Sequence, residues 1–237
     1  MNYLNTLVFQ IFPYIALAVF LLGSWVRFDH DAYTWRTGSS QLLSGGKWMR
    51  LGSNCFHVGV IAVLLGHFVG LLTPHAVYGP FLSAPTKQLM AMVIGGIFGV
   101  ICLVGLLILL GRRLFNPRIR ATSSDRDILV LVLLLAQLLL GLASIWVSTG
   151  HLDGGQMLLL ADWAQHIVTF RPGAADLILE AHWIFKAHIT LGLVLLLIFP
   201  FTRLVHIWSI PLGYLTRPYQ VVRRRQAAVS YPGKQGA

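Results

Sequence analysis

Charge is scarce in this chain. Only 11% of its 237 residues are Asp, Glu, Lys or Arg, where a water-soluble domain carries about 25%. With 56% hydrophobic residues and a mean hydropathy of +0.72, most of its surface has to face lipid. Cysteine is nearly missing: Cys55 and Cys102 each sit in an apolar run, with no CxxC pair, zinc spacing or disulfide framework. Both are expected to pack as small hydrophobes. No Lys or Arg precedes Arg27, which excludes the basic leading region of a signal peptide. The first apolar run also outlasts such a peptide and reads as a retained helix. Acidic residues number eight and avoid the apolar runs. Proton relays in membranes usually string Asp, Glu and His together, so a transporter or channel is disfavoured. Internal repeats are absent, and low complexity begins only at Arg223.

Long apolar runs are what the chain has in abundance. Crossing a bilayer core of about 30 Å takes roughly 20 residues, and five stretches qualify: 4–26, 53–72, 89–110, 128–147 and 183–201, the last running on towards Trp208. They imply an all-α integral membrane protein of five transmembrane helices. One membrane domain is expected over 1–222, followed by a basic tail over 223–237. Pro13 and Pro200 lie within or at the edge of spans, where each is expected to bend its helix. Fifteen of the 18 basic residues fall after span one, between spans three and four, or after span five. The positive-inside rule puts those segments in the cytoplasm, with the amino terminus outside and the carboxy terminus inside. Nucleic acid is excluded as a partner, because the charges flank lipid spans and form no reading motif.

Four histidines fall inside or at the ends of two spans: His57 and His67 on span two, His188 and His206 on span five. An ionisable ring in lipid needs a function. Two histidines on each of two helices offer four imidazole nitrogens, enough to ligate two stacked haems from both sides. Direction sorts them by depth. Span two runs outward and span five inward, so His67 pairs with His188 near the outer side, and His57 with His206 near the cytoplasm. On straight helices His188 and His206 would share one stripe about 27 Å long, whereas His57 and His67 would lie about 15 Å apart and roughly 80° out of register. Tilt, slanted ring planes and the Pro200 bend have to absorb that mismatch. His182, some 120° off the stripe, is the weaker candidate. His30, His75, His151 and His166 read as surface residues. Gly59, Gly66, Gly70 and Gly192 either clear space for a flat macrocycle or serve close helix packing.

Particular motifs carry a family resemblance. They are Phe12-Pro13-Tyr14-Ile15, Gly23-Ser24-Trp25, Tyr33-Thr34-Trp35-Arg36, Ser53-Asn54-Cys55-Phe56-His57, Gly66-His67-Phe68, Leu72-Thr73-Pro74-His75 and Lys87-Gln88-Leu89-Met90-Ala91-Met92. The block from Phe199 to Ser209 and the run Tyr214-Leu215-Thr216-Arg217 are the most specific. From the first span to about Arg225 the chain resembles the gamma subunit of membrane-bound respiratory nitrate reductase. That resemblance implies a five-helix, di-haem b cytochrome of the bacterial cytoplasmic membrane. It anchors an iron–sulfur beta subunit and a molybdenum-containing alpha subunit, where nitrate becomes nitrite. It also implies His67 and His188 as ligands of the outer haem, and His57 and His206 as ligands of the inner one.

Quinol is the implied electron donor, oxidised near the outer haem. By position alone Lys87 is equally a lysine snorkelling to the outer interface or a charged partner to a quinol oxygen; the resemblance implies the second. His67 is expected to reach the same pocket through the haem edge, with Gly70 leaving room beside it. Axial histidine on both faces of an iron suits electron transfer and excludes oxygen chemistry at the metal. The four histidines alone would also fit the cytochrome anchor of another molybdenum or nickel enzyme. Segment 156–170, which carries Trp163, is expected to lie in the interface as a connecting helix. Arg112 and Arg113 read first as orientation signals, with haem propionates as the alternative. The basic loops and tail offer a docking face for the soluble subunits, and anionic lipid accounts for the same charges equally.

Overall fold

Four of the five apolar runs become helices longer than the run itself, because each helix continues into its polar flanks; the last does not. These helices were traced in a computed structural model that describes residues 3–35 and 45–209. Arg36, the Tyr214–Arg217 motif and the basic tail lie outside the described residues. The first crossing runs from Tyr3 to Thr34 and is built mainly from α1 (Phe12–Asp31). Pro13 sits in the first turn of α1, where a missing N–H costs no hydrogen bond. The irregularity expected there is a π-helical stretch, Leu7–Ile11, just before it. The other crossings are α2 (Lys47–Leu72), α3 (Ala84–Phe115) and α4 (Asp125–Ser148); α5 (Gly155–Val168) is a shorter connecting helix, and α6 (Trp183–Ile198) begins the last crossing. Five helices are therefore long and apolar enough to span a membrane.

Local chemistry sets the boundaries. The Ser83 hydroxyl accepts from the Thr86 N–H at the start of α3, and Ser124 and Asp127 form a reciprocal capping box at the start of α4. His182 turns out to be a cap: its Nδ1 accepts the Ile184 N–H at the entrance to α6. Gly154, before α5, has φ of 83°, and a Cβ there would press into the Ala84 backbone at 2.7 Å. Only glycine fits that turn.

Small residues bring α2 and α3 together as an antiparallel hairpin. A Cβ on Gly59 would meet the Cys102 backbone at 2.6 Å, one on Gly52 would meet Ile108 at 2.7 Å, and Gly105 lies against the Phe56 backbone. Gly59 is therefore a helix-packing glycine, with Cys102 buried against it as a free thiol. α6 packs on α1 and α4. The two histidine-bearing helices, α2 and α6, thus rest mainly on other helices.

The connecting helix α5 is tied into the bundle: Trp163 is only 8% exposed, packs with Phe9, Ile167 and Ile178, and donates its Nε1–H to the Phe9 carbonyl at 2.9 Å. Burial of α5 is completed by the Gln165 amide, which donates to the Leu71 carbonyl at 2.9 Å. One expectation needs correction: His188 and His206 do not share one helix. α6 ends at Ile198 and gives way to 3-10 turns at Phe199–Phe201 and Arg203–Ser209. Pro200 cannot continue the α-helical ladder. The Arg27 guanidinium instead takes up the freed carbonyls, donating to Pro200 O at 2.6 Å and Thr202 O at 2.8 Å.

Candidate functional site

Two pairs of imidazoles face each other between α2 and the last crossing. The ring centres of His67 and His188 are 6.0 Å apart, and those of His57 and His206 are 6.5 Å apart. A simple calculation gives those distances a meaning. With metal–imidazole bonds of about 2.0 Å and ~1.2 Å from ring nitrogen to ring centre, two axial histidines on one metal sit about 6.4 Å centre to centre. Among the described residues no group of three or more His, Cys, Asp or Glu converges. The pairs thus match two-point axial ligation and not a tetrahedral ligand cage.

Hydrogen bonding sets which nitrogen faces the partner. His57 Nδ1 lies 2.7 Å from the Ser53 carbonyl, His67 Nδ1 2.8 Å from Val63, and His206 Nδ1 2.6 Å from Arg203. His188 Nδ1 lies 3.1 Å from the Gln137 carbonyl. A carbonyl only accepts, so Nδ1 carries the proton in all four rings and Nε2 keeps its lone pair. That is the tautomer a metal-ligating imidazole needs. A Cβ placed on Gly66 or Gly70 would meet nothing within 4 Å, so this face of α2 is open. Flat haem faces fit such surroundings, and the four residues present fit haem iron.

The two ends of the bundle differ in chemistry. At the end that carries Arg203, Arg113 is 8% exposed and donates to Ser123 Oγ at 2.9 Å and Asp127 Oδ2 at 3.3 Å. Arg203 approaches the other Asp127 oxygen at 3.9 Å. At the opposite end, Lys87 Nζ sits 3.6 Å above the Tyr78 ring centre. Both Lys87 Nζ and Tyr78 Oη are buried without a hydrogen-bond partner among the described residues. Burial, with the Asp162 carboxylate as a lesser cause, raises the Tyr78 hydroxyl above its ordinary value, so it stays protonated. The next residue, Gln88, is buried and donates to the His151 carbonyl at 2.6 Å, fixing the start of α3 against the end of α4.

The nitrate reductase gamma subunit family model matches residues 5–225. The chain belongs to the nitrate reductase gamma subunit family. It is 52% identical to the respiratory nitrate reductase 1 gamma chain of Escherichia coli over 225 residues, covering 95% of this chain and 100% of that one. It is 50% identical to the respiratory nitrate reductase 2 gamma chain of the same organism, over 95% of this chain and 99% of the other. The nitrate reductase gamma chain of Bacillus subtilis is 42% identical, over 91% and 96%. As a gamma subunit the protein is a multi-pass inner-membrane component and serves quinol-driven electron transfer to nitrate reductase.

Within this gamma subunit, several residues at the site escape sequence reasoning. Tyr78 and Gln88 carry no pattern of their own; only the neighbouring lysine hints at them. Gln137 and Gly141 look like ordinary α4 residues, yet both touch His188. Asp127 is legible as a helix cap, but its second role against two arginines appears only in three dimensions. Arg113 finds its partners within the protein.

Proposed function

We propose that His67 and His188 hold an outer haem b, and His57 and His206 an inner one, in a subunit that oxidises quinol on the outer side. The observation that carries this reading is the pair of ring separations, 6.0 and 6.5 Å, near axial-ligand spacing, with every Nδ1 on a backbone carbonyl so that Nε2 keeps the lone pair a metal would take. When bound, two six-coordinate haems supply one-electron transfer between quinol and the cytoplasmic subunits.

The chain's own residues bind and orient. Lys87 offers a buried ammonium, held over the Tyr78 ring, to the quinol oxygen. Gly70 leaves open space one turn beyond His67, whose ring edge borders the pocket. Arg27, Arg113 and Arg203 gather at the other end of the bundle, which supports an outer amino terminus and a cytoplasmic carboxy terminus. Residues 1–222 act as one membrane unit, and 223–237 as a basic cytoplasmic tail. The cytoplasmic face then receives an iron–sulfur beta subunit and a molybdenum-containing alpha subunit.

Reduced-minus-oxidised visible spectra of the purified complex test the assignment. Replacing His67 or His188 by alanine is expected to abolish one b-type signal, and replacing His57 or His206 the other. Four variants that each retain both signals would defeat it.

A further inference from the structure

Three of the four histidines take their Nδ1 acceptor from their own segment, three or four residues earlier. His188 does not. Its acceptor is the Gln137 carbonyl on α4, 51 residues away and 3.1 Å distant. That carbonyl lies inside a continuous helix, where the Gly141 side-chain position would normally screen it from a neighbouring helix. Glycine removes the screen: a Cβ on Gly141 would stand 3.0 Å from His188 Cε1. The Gln137 amide nitrogen lies 3.3 Å from His188 Nε2, the atom that would ligate the metal, so the backbone carbonyl and not this side chain would position the bound ring.

We infer that the Gln137–Gly141 notch on α4 positions His188 and tunes the outer haem alone. α4 bears no ligand, yet through this notch it sets the tilt and basicity of one. A hydrogen bond from Nδ1 to a carbonyl makes the imidazole a stronger donor and favours the oxidised metal. Gly141→Ala would push the ring back by a few tenths of an ångström and lengthen that bond. The other three rings, capped within their own segments, would not feel it. Gln137 and Gly141 are thus positioning residues, and the inference rests on the proposed ligation by His67 and His188.

The test uses the complete complex in native membranes. Redox titration, followed at the two b-type bands and by low-temperature spin resonance, is compared for wild type, Gly141→Ala and His188→Ala. Outer-shell partners of metal-bound histidine typically matter by 10- to 100-fold. Gly141→Ala is expected to weaken the preference for the oxidised outer haem about tenfold, an upward shift of ~59 mV for one electron. The inner signal should stay in place. Movement of neither signal, or of both equally, overturns the inference.

His188→Ala separates the two layers of the argument. If it leaves both haems bound, the ligand assignment fails and takes the notch with it. If it removes the outer haem while Gly141→Ala moves nothing, only the notch fails. A second measurement keeps the glycine, in case its replacement prevents assembly. With backbone carbonyl carbon-13 in all glutamines, the redox-difference infrared spectrum should contain one isotope-shifted carbonyl band, and Gln137→Met should remove that shift. Absence of any such band also overturns the inference.

Discussion

The outer and inner histidine pairs stand at nearly equal ring separations but are held by different physics. His67 and His188 sit on the bodies of α2 and α6, so helix packing and a carbonyl from α4 fix their geometry. His206 lies beyond the end of α6, in a 3-10 segment that no regular ladder continues. Its place is set by cations: Arg27 on the carbonyls of Pro200 and Thr202, and Arg203 beside Asp127. Both outer histidines and His57 are positioned by helix packing, and His206 alone by charge. The difference suits their depths, because lipid favours internally bonded helices, while irregular backbone at the polar edge can be bonded by arginine.

The largest effect is expected at Lys87, at the end away from the arginines. Its buried ammonium lies over the Tyr78 ring and has no hydrogen-bond partner among the described residues, so the charge is placed for an acceptor oxygen. A hydrogen bond to a charged group is worth ~1.5–3 kcal/mol. Lys87→Met should therefore lower kcat/KM for quinol about 10- to 100-fold. Steady-state kinetics with a quinol, against an artificial donor feeding the soluble subunits directly, would measure it. Loss of both activities in parallel would show that Lys87 supports assembly and not the quinol step.

Arg27→Met tests the charge-held end. It removes two donors, to Pro200 O and Thr202 O, that brace the segment leading to His206. Arg27 is partly exposed, which reduces the cost to about 2 kcal/mol. Quantitative haem analysis should then show the inner haem depleted and the outer one retained. Equal depletion of both would mean that the bracing is global.

How much of this could be read from residues alone follows from what kind of object each feature is. Five crossings were legible because hydrophobic length has a direct sequence signature, and α3 and α4 start earlier than their apolar runs because the capping residues Ser83 and Ser124 lie before them. The partner of each histidine was legible because antiparallel crossings bring His67 to His188 and His57 to His206. The break after Ile198 was half legible: Pro200 announced a bend, but not that the α-helix would stop. The role of Gly59 was ambiguous until Cys102 was seen against it. The Gln137 carbonyl was invisible, since every residue has a carbonyl and only the fold chooses which one is used. The packing of Trp163 was not legible, because a tryptophan near an apolar end is as ready to fill a core as to mark an interface.

Asp127→Asn offers the finest division of the two ends. One carboxylate, 25% exposed, serves Arg113 at 3.3 Å and Arg203 at 3.9 Å, while also accepting the Ser124 N–H as a cap. Asparagine keeps an oxygen for the cap and removes only the charge, leaving two cations facing each other. Exposure and the long Arg203 distance hold the cost to ~1 kcal/mol, below that of breaking a fully buried pair. The expected result is a modest, selective loosening of the inner haem, read as its faster release in mild denaturant. Removing one cation as well, in Asp127→Asn with Arg203→Met, should cost less than the two single changes added, because the repulsion left by the first is relieved by the second. Additive costs would mean that Asp127 acts only as a helix cap, and the inner site would then owe its geometry to Arg27 alone.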